Sequence, residues 1–160
     1  MEHPYFGSLP DASDGLLWEG WVDLAGRVVS VDMTCDGPVT RARLDAASAF
    51  PSALPRFDAA ARAALVLDFG KQEAVHLFME HHFSVLPAAA IESLFAASRA
   101  SSITPEQLIS RLVLKRVGLY PADDAHTAVF DYALDGDVTN YLLVVYFAAG
   151  GEVASVEMES

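Results

Sequence analysis

The chain has 160 residues, which fits one domain with a substantial core, and we expect residues 1–160 to form it. Its 22 acidic residues outnumber 10 Lys and Arg, and a net charge of −12 disfavours binding to nucleic acid or to an anionic membrane surface. The longest apolar run, Tyr141–Ala149, is far shorter than the roughly 20 residues that span a bilayer. Because residues 1–7 lack the pattern of a signal peptide, we expect a cytoplasmic protein.

The first elements form a predicted β-hairpin. Leu16–Leu24 alternates, with Leu16, Trp18, Val22 and Leu24 on one face and Glu19, Trp21 and Asp23 on the other. Ala25-Gly26 is a turn, and Arg27–Met33 returns with Val29, Val31 and Met33 on one side.

From residue 40 to about 109 the apolar residues recur at helical spacing. Pro51 closes a first helix, Gly70 ends a second, and Thr104-Pro105 opens a short last one with Gln107 at the capping-box position. The five predicted helices cover Thr40–Phe50, residues 57–70, Gln72–Phe83, Ala88–Ala97 and a short segment from Thr104.

Four β-rich segments follow, at Leu112–Leu119, Thr127–Leu134, Tyr141–Phe147 and Glu152–Met158. In the first of them Val113, Lys115, Val117 and Leu119 are expected to share one face. Strands grouped at both ends of the chain and helices in the middle indicate the α+β class. We expect the N-terminal hairpin and the C-terminal strands to share one antiparallel-rich sheet, with four to five helices packed on one face.

The negative charge is concentrated in the predicted strands. Residues 1–26 carry five acids and residues 117–160 carry eight, and neither segment contains Lys or Arg. The single cysteine, Cys35, lies between Asp32 and Asp36, which oppose thiolate formation, so we expect it to be inert.

No nucleotide-binding, zinc-protease, thiol-redox or serine-hydrolase motif is present, so no catalytic residue and no cofactor is predicted. The best metal-like cluster is His76, Glu80, His81 and His82, in which His76 and Glu80 are one helical turn apart. Because the same helix carries packing residues and an exposed His–Glu pair is ordinary, no metal site is predicted. Asp123-Asp124-Ala125-His126 and Asp135-Gly136-Asp137 are interpreted as turns.

Asp131 leaves two alternatives open. It is either an outward-facing carboxylate on a half-buried sheet or a functional carboxylate grouped with Tyr132, Asn140 and Tyr141.

Several short segments, each weak alone, together resemble one family. They are His3–Gly7, Phe78 with His81 and His82, Arg116–Pro121, Val129–Tyr132, Val138–Val145 and Met158–Ser160. The chain resembles, over nearly its whole length, the bacterial family catalogued as domain of unknown function two thousand and four. The resemblance implies an α+β fold, a small bacterial cytosolic protein and no assigned catalytic residue.

Three functional hypotheses remain. The leading one is a non-enzymatic interaction domain, of the inhibitor or immunity type, that binds a basic protein through an acidic sheet face. The alternative is a small-ligand binder or enzyme with a site around Asp131, Tyr132 and Asn140, and the third is a housekeeping domain that is acidic only for solubility. Strand parity assigns the interaction face to Glu19, Trp21, Asp23, Ser30, Asp32, Asp131 and Glu157, with Trp21 as the anchor among carboxylates.

Overall fold

The computed structural model describes residues 1–10, 14–97, 99–136 and 139–160. Its strands are β1 (Glu2–His3), β2 (Gly7–Ser8), β3 (Asp14–Leu24), β4 (Arg27–Asp36), β5 (Leu112–Leu119), β6 (Ala128–Leu134), β7 (Leu142–Phe147) and β8 (Val153–Glu159). Its α-helices are α1 (Arg41–Ser52), α2 (Leu54–Lys71), α3 (Ala74–Val85), α4 (Ala88–Phe95) and α5 (Pro105–Ile109), with a 3₁₀ turn at Ala100–Ser102.

Six strands form one mixed sheet in the order β3-β4-β5-β6-β7-β8, and β1 and β2 form a separate short hairpin. The pair β4–β5 is parallel and the other four pairs are antiparallel. The parallel pair follows from chain order, because the helices between β4 and β5 supply the long crossover that parallel neighbours require. The predicted α+β fold is confirmed: the N-terminal hairpin and the C-terminal strands share one sheet.

The two faces of the sheet have different partners. Cross-strand pairing aligns Val31, Val117, Phe130, Val145 and Val156 on one face, and these belong to or pack against the hydrophobic core that also includes helix residues. We call this the covered face. The opposite face, here called the open face, carries Glu19, Trp21, Asp32, Asp131 and Glu157, and its apolar residues Val129 and Val144 lie outside that core.

Aromatic packing joins the helices to the covered face. Phe50 of α1 and Phe57 of α2 lie 5.6 and 5.7 Å from Phe147, measured between ring centroids, and Phe147 lies 4.9 Å from Phe130. All four side chains are at most 5% exposed. The predicted capping box of α5 is present, since the Gln107 backbone N–H donates to the Thr104 hydroxyl at 3.2 Å.

The helix ends differ from the predicted ones where turns were misassigned. Helix α1 continues through Pro51 to Ser52, and Gly70 lies inside α2 instead of ending it. The left-handed residue that ends α2 is Gln72, with φ 61°. The buried Asp68 carboxylate then accepts the Val75 N–H at 2.7 Å, which positions the start of α3 two residues later than predicted.

Two β-bulges correct the predicted alternation. A register shift between Leu16 and Trp18 places Leu16 opposite Thr34, on the open face, where it is 55% exposed. A second shift, between Leu114 and Arg116, moves Leu112 and Leu114 to the covered face with Val117. The predicted placement of Leu16, Val113 and Lys115 was therefore wrong, because one extra residue inverts the parity of everything before it.

Candidate functional site

One row of directly opposed residues crosses all six strands of the open face. It contains Trp21, Ser30, Arg116, Asp131, Val144 and Glu157. With neighbouring strands about 4.8 Å apart, Trp21 and Glu157 stand at opposite edges, about 24 Å from each other. All six of the residues predicted to bind a partner, Glu19, Trp21, Asp23, Asp32, Asp131 and Glu157, fall on strands of this sheet with open-face parity.

Trp21 is the most exposed large apolar side chain of the described residues, at 74%. Val28, also on the open face and 69% exposed, is paired with Asp23 and lies diagonally across from Trp21. The described residues 1–10 pack on Trp18 of the covered face and not on Trp21, with the Phe6 and Trp18 rings 5.2 Å apart. Trp21 therefore presents its ring to solvent.

Near the centre of the open face, Arg116 joins two carboxylates. Its Nε and Nη2 atoms donate to Asp32 at 2.5 and 2.7 Å, and Nη1 donates to Asp131 at 3.0 Å. The side chains of Asp32 and Asp131 are only 18% and 13% exposed, so this guanidinium neutralises two partly buried charges. The Asp32 carboxylate is the main reason that the pKa of Arg116 is raised.

Local sequence positions this arginine. Arg116, Gly118 and Tyr120 alternate with the buried Val117 and Leu119. Nη2 of Arg116 also donates to the Tyr120 hydroxyl at 3.1 Å, and a Cβ at Gly118 would lie 2.8 Å from that guanidinium. The missing side chain at Gly118 thus leaves the space that the guanidinium occupies. The Arg-x-Gly-x-Tyr alternation is the sequence signal for Arg116, for which no role was predicted.

Burial of Asp131 has an electrostatic consequence. Desolvation raises the pKa of its carboxyl above the ordinary value, Arg116 opposes the increase, and the charges of Glu159 and Asp32 add to it. The residue as a whole is 9% exposed although it lies on the face opposite the hydrophobic core. Asp131 does face outward, as the first alternative held, but its carboxylate is largely buried, with 13% of the side chain exposed.

Beside Arg116 and Asp131 the open face forms a concavity of about 460 Å³. Its walls include Tyr120, Tyr146 and His126, and Glu159 lies at its rim. The Tyr146 hydroxyl donates a short hydrogen bond to Glu159, and burial together with this carboxylate raises the pKa of the phenol. The cavity is therefore bordered by aromatic rings and carboxylates around one cation that is already paired.

Asp123 holds one wall of this cavity in place. Its Oδ1 accepts the backbone N–H groups of Ala125 and His126 at 2.9 and 3.0 Å, which confirms the predicted turn. The His126 ring lies 5.1 Å from Tyr146. Of the second predicted turn, Asp137 lies outside the described residues.

The predicted carboxylates divide into two groups. Glu19 and Asp23 flank Trp21 on β3, and Asp32 is opposite Glu19. Asp131 and Glu157 lie three and five strands away from Trp21, so the acids extend across the face instead of surrounding the ring.

The alternative grouping of Asp131, Tyr132 and Asn140 is not assembled. Tyr132 points to the covered face, is fully buried and donates to Oδ1 of Asp58 at 2.7 Å. Asn140 is exposed in the segment before β7. Successive strand residues point to opposite faces, so Asp131 and Tyr132 cannot share one site.

The histidine cluster on α3 is also divided. His76 contacts Glu80 at 3.2 Å on the exposed side of the helix. His82 is 1% exposed, donates through Nδ1 to the Phe78 carbonyl at 2.7 Å and accepts at Nε2 from the Thr139 hydroxyl at 2.6 Å. Burial lowers its pKa, so the ring is held neutral. Within the described ranges, no group of three His, Cys, Asp or Glu side chains is placed to hold a metal ion.

Cys35 is 1% exposed, with its thiol 3.0 Å from the Gly37 carbonyl. Over the part of the chain that the structure describes, none of the helices has both the length and the apolar composition needed to cross a membrane. Comparison of the chain with protein-family models, with curated proteins and with solved structures finds no match.

Proposed function

We propose that this chain is a non-enzymatic interaction domain, of the inhibitor or immunity type, that binds a basic protein through the open face of its sheet. The observation that carries the proposal is Trp21, which is 74% exposed and flanked by Glu19 and Asp23. Trp is among the residues most enriched at binding hot spots, and it supplies a large apolar contact.

Charge supports the choice of partner. Along the open face the side chains of Glu19, Asp23, Glu157 and Glu159 are carboxylates, and Arg116 is already paired with Asp32 and Asp131. A face of one sign accelerates encounter with a partner of opposite sign and repels acidic proteins. The partner surface is therefore basic, with an apolar depression for the indole ring.

The size of the face is adequate. It is about 24 Å wide, and a seven-residue strand is about 23 Å long, so its flat area is about 550 Å². That is of the same order as the roughly 800 Å² of accessible surface that each partner buries in a standard interface.

The test places a photo-crosslinking amino acid at position 21 and, as the matched control, at Leu77, which is 57% exposed on α3. We expect a protein captured only from position 21, and its affinity is then measured with purified components. The combined change Trp21→Ala, Glu19→Lys and Asp23→Lys should abolish that binding, and added salt should slow association. If the folded triple variant bound as tightly as the wild type, the open face would not be the binding site. The same would follow if Leu77→Ala weakened binding as much as the triple change does.

The cavity favours a second candidate function, the binding of a small cationic ligand. Its volume of about 460 Å³ lies within the range of ligand pockets, and Asp131 and Glu159 border it beside Tyr146. Arginine methyl ester is a suitable probe. Saturable binding that Asp131→Asn removes and Trp21→Ala leaves intact would support the cavity; absence of binding at millimolar probe would exclude it.

A further inference from the structure

Strand β8 is an edge strand with a groove beside it. It pairs with β7 on one side and with no second strand among the described residues, so a row of its backbone groups faces outward. A groove of about 430 Å³ runs between the first half of β8 and the second half of α2. It is lined on the helix side by Ala64, Leu67 and Lys71 and on the strand side by residues 153–156.

The groove exposes apolar surface. Leu67, which lines the groove from α2, is 67% exposed. A helix next to a strand edge is a geometry in which an extended peptide adds to the sheet, because the backbone supplies hydrogen bonds and the helix supplies a pocket for alternate side chains.

The alternation of β8 specifies the sequence pattern of that peptide. Val153 and Val156 pair with Phe147 and Val145 of the covered face, whereas Glu157 and Glu159 pair with open-face residues of β7. An added strand continues this alternation. Its side chains on the groove side meet Leu67 and Val156, and those on the open side meet the two glutamates.

We propose that the edge of β8 binds an extended peptide in which apolar residues, directed into the groove beside Leu67, alternate with Lys or Arg residues that contact Glu157 and Glu159. The bulge at Ala154 leaves Ser155–Glu159 in continuous register with β7, which provides five residues for pairing. A second copy of the chain is a poor occupant, because it carries a net charge of −12 and brings its own acidic β8 to the edge. This site shares Glu157 and Glu159 with the proposed interaction face but does not use Trp21.

The experiment uses a labelled peptide of alternating Val and Lys residues, with two control peptides. One has the same composition with the Val and Lys residues in separate blocks, and the other is N-methylated at every second residue, which blocks strand pairing without changing charge. Binding is measured by fluorescence anisotropy, and amide hydrogen exchange of the protein is followed with and without peptide.

We expect the alternating peptide to bind at least about tenfold more tightly than either control and to protect amides of β8. Leu67→Glu, at an exposed position, should weaken binding about tenfold, and so should Glu157→Lys with Glu159→Lys, whereas Trp21→Ala should have no effect. Equal affinity for the three peptides would show that charge alone drives binding, and it would overturn the proposal. Protection of β8 that rises with protein concentration in the absence of peptide would also overturn it, by assigning the edge to a second copy.

Discussion

The covered and open faces of the sheet are built on the same backbone yet become buried in different ways. In β6 all seven residues are buried, including Phe130 on the covered face and Asp131 on the open face. Phe130 is covered by aromatic rings from a helix and a neighbouring strand. Asp131 is covered from the side, by the Arg116 side chain that extends over Gly118. Lateral crowding by long polar side chains can therefore bury a carboxylate without a second layer, and it produces a charged surface instead of an apolar core.

The largest expected difference between the faces is in folding stability. Phe130→Ala removes a fully buried ring and should lower the free energy of unfolding by about 3–5 kcal/mol, because it leaves a cavity among Phe50 and Phe147. Trp21→Ala, on the open face, should change it by no more than about 0.5 kcal/mol. Urea denaturation of both variants measures the difference. A comparable loss in Trp21→Ala would mean that something covers the indole ring in solution.

The next effect concerns the pairing of Arg116 with both Asp32 and Asp131, here called the Arg116 clamp. Arg116→Met leaves Asp32 and Asp131 partly buried without their cation, and we expect a loss of about 2 kcal/mol, between the values for exposed and for buried pairs. Gly118→Ala should act in the same direction, because its Cβ would displace the guanidinium.

The matched control for Arg116→Met is Arg27→Met, whose ion pair with Asp135 is more than half exposed on both sides. It should leave the urea midpoint nearly unchanged. An equal loss of stability in Arg116→Met and Arg27→Met would show that Asp32 and Asp131 are hydrated. The Arg116 clamp would then be no different from an ordinary surface ion pair.

The smallest effect is a pH dependence at Asp131. Because its pKa is raised in the folded protein, the fold favours the protonated carboxyl; this contribution is complete below the unfolded value near 3.9 and is lost as the pH rises through the folded pKa. Asp131→Asn should therefore equal or exceed the wild type in Tm at pH 7, with a free energy of unfolding higher by no more than about 1 kcal/mol, and the two proteins should converge near pH 3.

Asp135→Asn should change the Tm in the opposite direction, since Arg27 lowers the pKa of Asp135. That contribution is present above the unfolded value and is lost as the pH falls, so Asp135→Asn should reduce the Tm at pH 7, but only slightly, because this exposed pair contributes little, as for Arg27→Met. Thermal melts of both variants from pH 3 to pH 8 compare the two directions. A lower Tm for Asp131→Asn at pH 7 would mean that the Arg116 contact outweighs desolvation.

The class of the fold and much of the open face follow from local patterns in the sequence. Alternation with period two is a local property, so Trp21, Asp32 and Asp131 could be assigned to the side opposite the core before the strand order was known. The capping box at Thr104 was equally local, because its two hydrogen bonds join residues three apart.

The places where the alternation breaks, and the charges that come into contact, depend on pairing between distant parts of the chain. The bulges beside Leu16 and Lys115 are relations between a strand and its partner, so neither strand's own pattern reveals them. The Arg116 clamp joins residues separated by 84 and by 15 positions in the chain. Its geometry depends on the parallel pairing of β4 with β5, two strands that the helices separate along the chain.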